Sequence, residues 1–329
     1  MDRRTIVTVA ASALLGLTAK PRAQSQGTPR RIAFLSAFPR ADIEVALGLI
    51  RAELEKLGWT DGRNIALLEP RTAEGRNEFL PPMAAELVAQ GPDLILAQSL
   101  PASRALMQAT KSIPIVMYAV GNPVEPGIVA DYRKPGGNVT GSSYMANEYA
   151  RKLLQLLKEA APRLRSVAVF ANPSNEAAAA FSKQVRVDAA ALGMQAQIVE
   201  VSGQDEFEAA FAAIRSANTQ SILLPPEALI LSKREAIAGF AQTHGLPLAV
   251  VGVSRTLPAS GLIAFGPARD EYAQLAARYI DRILKGAKPG ELPIEQTTRF
   301  ELVINLKSAK ALGLTIPQAL LLRADEVIQ

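Results

Sequence analysis

Between Asp93 and Gly127 the chain reads as a short apolar run (Leu94 to Ala97), a turn, a helix beginning near Pro101, a second apolar run (Ile115 to Val120), and another turn. Runs this short and this apolar suit strands buried on both faces, as in a parallel sheet covered by helices. In such sheets ligands gather at the carboxyl ends of the strands, where turns and helix N-termini present backbone N–H groups. Here those ends are Gln98-Ser99-Leu100-Pro101 and Gly121-Asn122-Pro123, which gives half of a candidate ligand site.

The same alternation extends in both directions. Upstream, Ile32 to Leu35 predicts the first strand, and Ile43, Leu47, Ile50, Leu54 and Leu57 form one apolar stripe of a helix that Gly58 ends. A strand over 64–68 and a helix over about 77–90 complete a right-handed βαβαβαβ series. A second series follows the glycine-bounded segment 136–141. It has strands over 166–170, 197–201, 221–224 and 248–251, with helices over about 147–160, 176–192, 205–216 and 229–243. Two α/β lobes facing one cleft follow from this repetition, and 329 residues suffice for both.

The N-terminus points to export. Arg3 and Arg4 precede a mildly apolar core from Ile6 to Leu17, then small residues from Ala19 to Ala23. This is a secretory signal pattern over residues 1–23, of Sec or twin-arginine type, and shorter than a membrane span of about 20 residues. A polar linker over 24–30 follows. The first 23 residues carry +3 of the chain's net +5, so the remainder is near +2, with charges interspersed and no basic stripe for nucleic acid. The mature chain is expected in the periplasm.

Enzyme chemistry has little to work with. There is no cysteine, and the one histidine, His244, sits at a helix end where a surface role is expected. The first strand–helix turn, Ser36 to Arg40, lacks the glycines of a dinucleotide site, and no P-loop or nucleophile elbow occurs. No cofactor or metal is expected. What remains is turn chemistry at strand ends, with candidate ligand residues Ser36, Phe38, Ser99, Leu100, Asn122 and Tyr144 in the first series. The second series adds Asn172, Asn175, Glu227 and Ser254. Phe38 and Tyr144 offer flat surfaces, while Ser99 and nearby N–H groups suit a carboxylate or carbonyl. Trp59, in a helix-to-strand turn, is expected to pack over the first helix away from the cleft.

Several segments are similar to a known family. Phe300 to Pro317 reads FELVINLKSAKALGLTIP, and Leu322 to Ile328 closes the chain as LRADEVI. With Leu57 to Asn64 (LGWTDGRN), Ile113 to Val116, Pro135 to Gly141 (PGGNVTG) and Ile283 to Pro289 (ILKGAKP), the chain resembles ABC-transporter substrate-binding proteins of the tryptophan- and phenylalanine-binding periplasmic type. The likeness spans residues 30 to 329. It implies an α/β type I periplasmic binding protein fold with two Rossmann-like lobes of parallel sheet and a three-segment hinge near 142–146, 265–268 and 290–296. The N-terminal lobe would comprise 31–142 plus about 267–290, and the C-terminal lobe 143–266 plus about 291–329. The implied protein is a non-enzymatic monomer that binds a small organic solute and delivers it to a membrane permease and ATPase. An exported sensor serving a membrane signalling partner and a periplasmic enzyme are the alternatives.

Three turns depart from the family's usual residues. Ser99-Leu100-Pro101-Ala102 has an isobutyl group where a threonine hydroxyl is usual. Gly121-Asn122-Pro123 has an amide where an aspartate is usual, and Ala264-Phe265-Gly266-Pro267 loses two hydroxyls. A buried ammonium without a carboxylate partner costs several kcal/mol. The departures therefore point away from an ordinary zwitterionic amino acid, unless Glu227 supplies the charge from the other lobe.

Overall fold

The computed structural model describes residues 28–144, 146–252 and 257–329. The expected signal segment lies outside them. Apolar residues alternate along each central strand, and the two sets they form decide the layers. In β1 (Arg30–Ser36), Ile32 and Phe34 face one side while Ala33 and Leu35 face the other. After α1 (Arg40–Lys56), β2 (Ile65–Leu67), β3 (Arg71–Thr72) and α2 (Leu80–Ala89), the same division recurs in β4 (Leu94–Gln98). It recurs again past α3 (Leu100–Ala109), in β5 (Ile115–Val120). A strand with both faces buried gains about 1.5–3 kcal/mol for each large side chain it hides, so these segments stay central.

β6 (Val139–Ser143) completes the run, and parallel pairing gives the order β6-β5-β4-β1-β2, with β3 also on β1. The helix stripe behaves as expected for Ile43, Ile50 and Leu54, whereas Leu57 is exposed and caps the helix ahead of Gly58 at φ 86°.

The second lobe comprises α4 (Ala146–Ala160), β7 (Ser166–Ala171), α5 (Glu176–Ala191), β8 (Gln195–Glu200), α6 (Phe207–Ser216), β9 (Ile222–Leu224), α7 (Ala228–Ser232), α8 (Arg234–Thr243), β10 (Leu248–Val251) and β11 (Ile263–Pro267). α9 (Arg269–Leu284) then returns to the first lobe, where Tyr272, Leu275, Ala276, Tyr279, Ile280 and Ile283 pack with Ile43, Ile50 and Leu54. The chain continues through β12 (Glu295–Gln296), β13 (Phe300–Asn305), α10 (Leu306–Ala311), α11 (Gln318–Leu321) and β14 (Glu326–Ile328). The second sheet has the order β14-β13-β11-β10-β9-β7-β8, and only the β11–β13 pair is antiparallel among the described residues.

Two expectations change. The sequence places the third crossing over 290–296, with residues from about 291 in the second lobe. Glu295 and Gln296 instead pair with Ser142 and Ser143 of β6, and Ile294 packs with the first lobe's core. The first lobe thus keeps β6 through Ser143 and the returning chain through Gln296. The helix expected over 229–243 divides at Lys233, whose φ of −110° is off-helix. That break leaves α7 as a short element, and its Ala228 packs with the first lobe's core. Trp59 packs beside α9 and donates to Asp281 Oδ1 at 2.9 Å, and it does not line the cleft. His244 is exposed, with Nδ1 2.9 Å from the Phe240 carbonyl.

Candidate functional site

Each wall of the cleft is a strand end held in shape by its own short side chains. After β1, Ser36 Oγ accepts from Phe38 N–H at 2.9 Å and donates to Gln98 Oε1 at 3.2 Å. This tight turn aims Phe38 at the space between the lobes, where its ring meets core residues of both. Ser36 itself is fully buried beneath the turn and does not line the cavity.

After β4, Ser99 caps α3, its Oγ accepting from Ala102 N–H at 3.2 Å while its carbonyl accepts from Ser103 Oγ at 2.9 Å. Its φ of 99° is strained for a residue with a Cβ, a cost of about 1–3 kcal/mol that clusters at ligand sites. Pro101 follows in the first helical turn, where no N–H is required.

β5 ends in a register shift between Met117 and Val120. Ala119 N–H donates to Ser142 Oγ at 3.2 Å, and Ala119 takes φ 52° and turns to the cleft. Beyond it, Asn122 Oδ1 accepts from Val124 N–H at 3.1 Å and from Tyr132 OH at 3.3 Å, while Nδ2 donates to Glu125 at 3.4 Å. Tyr144, after β6, stacks on Tyr149 and donates to the Pro226 carbonyl of the other lobe at 3.4 Å. Burial pushes its phenol well above the usual range, so it stays a neutral hydroxyl.

In the second lobe, Asn172 Oδ1 accepts from Ser174 N–H at 3.0 Å, and Asn175 caps α5 by accepting from Ala177 N–H at 3.1 Å. Glu227 caps α7, with Oε2 accepting from Ile230 N–H at 3.0 Å and Oε1 from Asn172 Nδ2 at 3.1 Å. Only 6% of Glu227 is exposed. Burial pushes its carboxyl above the usual carboxylate range, against the opposing pull of the Ile230, Asn172, Leu229 and Asn175 donors.

Together these turns enclose a cavity of about 520 Å³ between the lobes. That is the size of a site for a small organic molecule. Phe38, Ser99, Leu100 and Asn122 reach it from the first lobe, Tyr144 from the crossing, and Asn172, Asn175 and Glu227 from the second. Ser254 lies outside the described residues. Asn77, Glu125, Tyr132, Glu148, Ser182 and Gln296 also line the cavity and were not anticipated. Asn122 followed by Pro123 marked a turn, yet nothing local in the sequence places Tyr132 back against it.

A family model described as ABC transporter substrate binding protein matches residues 41–328. The chain belongs to this family. A tyrosine-binding protein of Clostridioides difficile (strain R20291) is 29% identical over 273 residues, 81% of this chain and 76% of that protein. Among solved structures, an ABC domain in complex with L-Trp from Streptococcus pneumonia superposes with a TM-score of 0.84 at 25% identity, covering 92% of this chain and all of that one. A conserved domain protein from Vibrio cholerae o1 biovar eltor also gives 0.84, at 26% identity and 91% coverage of this chain. As in those neighbours, two α/β lobes of mostly parallel sheet make a type I periplasmic binding protein fold. The chain is therefore a solute-binding component of an ABC transporter, and its cleft is where the solute would sit.

Proposed function

We propose that the protein is the exported receptor of an ABC importer, taking a small, partly apolar or aromatic organic solute into the cleft and passing it to a permease and ATPase. The observation that carries this is the cavity of about 520 Å³ walled by strand-end turns of both lobes, with the rings of Phe38 and Tyr144 on its surface. The relatives support a ring-bearing solute, since one is named for tyrosine and another holds L-Trp. The signal pattern of residues 1–23 supports a periplasmic location for the mature chain. No helix among the described residues is long and apolar enough to cross a membrane.

The test is ligand-stripped protein melted against a broad metabolite panel. A solute present at about 100 times its Kd adds about 2.7 kcal/mol, or about 5–10 °C in Tm. A panel with no shift for any compound, and no small molecule released from natively purified protein on denaturation, would refute the reading.

Contacts across the cleft support hinge closure. Arg234 Nη1 of α8 meets Asp42 Oδ2 of α1 at 2.9 Å, both largely shielded from solvent, and Gln204 Nε2 donates to the Glu74 carbonyl at 3.0 Å. Gly75 runs so near α7 that an added Cβ would lie 2.7 Å from Leu229 Cα. The ion pair exists only with the lobes together, so its energy belongs to the closed, solute-holding form. Asp42→Asn is expected to weaken solute affinity about fivefold, the equivalent of about 1 kcal/mol, leaving each lobe folded. Isothermal titration checks this, and unchanged affinity would remove the pair from the closing mechanism.

A further inference from the structure

Among the described residues lining the cavity, Glu125, Glu148 and Glu227 are carboxylates, and none is lysine, arginine or histidine. Arg104 lines a smaller adjoining cavity beyond Leu100 and Pro101, where it donates to the Pro126 carbonyl at 2.9 Å. The polar atoms are divided in the same sense. The donors around the deep end are committed to the walls themselves, with Asn172 Nδ2 and Asn175 on Glu227, Tyr144 OH on Pro226 and Asn122 Nδ2 on Glu125. Acceptors are left over. Asn77 Oδ1 is buried without a partner, and so is the hydroxyl of Ser182, which can accept as well as donate, in a residue only 7% exposed. Glu227 takes neutral donors from Ile230, Leu229, Asn172 and Asn175, and among the described residues no lysine, arginine or histidine lines the cavity beside it.

A buried acceptor without a donor is costly, and a buried carboxylate is best satisfied by a cation that also hydrogen-bonds. Among the described residues, a solute carboxylate here would meet the buried Glu227, the exposed Glu125 and Glu148, and no side-chain cation. The Leu100 departure agrees with this, since it offers no hydroxyl to a carboxylate, while Asn122, an amide where an aspartate is usual, leaves a protonated nitrogen to Glu227. Resting on the solute-receptor reading above, we propose that the cleft selects a solute with a protonated nitrogen and no free carboxylate, its nitrogen seated against Glu227. The chemical class is an aromatic or apolar amine, with the ring between Phe38 and Tyr144.

The test is isothermal titration of ligand-stripped protein with matched probes: phenethylamine against phenylalanine, tyramine against tyrosine, and uncharged 2-phenylethanol. The amines are expected to bind at least about tenfold more tightly than the parent amino acids and the alcohol, since only they set a cation beside the Glu227 carboxylate without adding a like charge. Glu227→Gln keeps the volume and an acceptor for Ile230 N–H but turns an amide donor toward Asn172 Nδ2, so it should lower amine affinity about 100-fold while lowering the unliganded Tm by only a few degrees. Amino acids binding as tightly as amines, an alcohol equal to the amine, or a Gln variant with full amine affinity would each overturn the proposal. Should none of the five probes bind, the metabolite panel decides. A hit with a protonated nitrogen and no carboxylate upholds the proposal, and a hit without that chemistry overturns it while the receptor reading stands. No hit at all overturns both.

Discussion

Gly141→Ala is expected to cost about 4 kcal/mol or more, enough to lower Tm by about 10–15 °C or to prevent folding. Gly141 has φ 132°, a conformation that L side chains rarely adopt. A Cβ there would lie 2.3 Å from the Met117 carbonyl oxygen, 2.4 Å from Met117 N and 2.8 Å from its Cα. These are backbone atoms of a central strand with neighbours on both sides, so no side chain can swing away to make room. The close approach also shapes the site. β6 lies against β5 where the register shifts, and Ser142 Oγ bridges the shift by accepting from Ala119 N–H and donating to the Met117 carbonyl at 3.4 Å. Forcing the strands apart would displace Ala119, Gly121 and Asn122 together. Gly58→Ala is the control, because Gly58 has φ 86° but open space around it. It should lose only about 1 kcal/mol. Thermal melts that place Gly141→Ala beside Gly58→Ala would show that the approach of β6 to β5 is not as tight as described.

What the sequence revealed follows from which interactions are local. The Asp93–Gly127 stretch announced its strands because both faces of β4 and β5 are apolar, and its turns because Ser99-Leu100-Pro101 and Asn122-Pro123 satisfy their own backbone. Helix ends with glycine, such as Gly58, were legible for the same reason. Long-range placements were not. Nothing near Glu295 and Gln296 says that they will pair with β6, since two-residue strands carry no periodicity. The break at Lys233 was hidden because Leu229, Ile230 and Leu231 continue an apolar run into α8, while the break serves α7's reach across the cleft. Ser36 ends a strand, which alone suggests a ligand group. Its hydroxyl serves the turn instead, bonded to Phe38 N–H and Gln98. Glu227 was found from its place at a strand end, but its depth and its bond to Asn172 required the fold.

Leu100→Thr combined with Asn122→Asp is expected to raise affinity for phenylalanine or tyrosine at least about tenfold over the unaltered protein. A zwitterion must place two charges at once, and each substitution addresses one. Leu100 forms the cleft wall at the start of α3, 8% exposed, so threonine there puts a hydroxyl beside the capped helix N-terminus. A hydrogen bond to a carboxylate at such a place is worth about 1.5–3 kcal/mol, or about 10- to 100-fold in affinity. Losing part of the leucine side chain costs about 1–2 kcal/mol of stability, which the cap at Ser99 does not share. Asn122→Asp keeps the acceptor that Val124 N–H and Tyr132 OH use, but replaces the amide donor to Glu125 with a second carboxylate. The new repulsion is relieved when an ammonium enters between them, so the substitution destabilises the empty site and favours the filled one. Either change alone should give less than half the combined gain in free energy, because a zwitterion held at one end still desolvates the other. Titration of the two single variants and the double variant measures that coupling directly. A double variant with no gain for either amino acid would mean that Leu100 and Asn122 do not set the selectivity of this cleft.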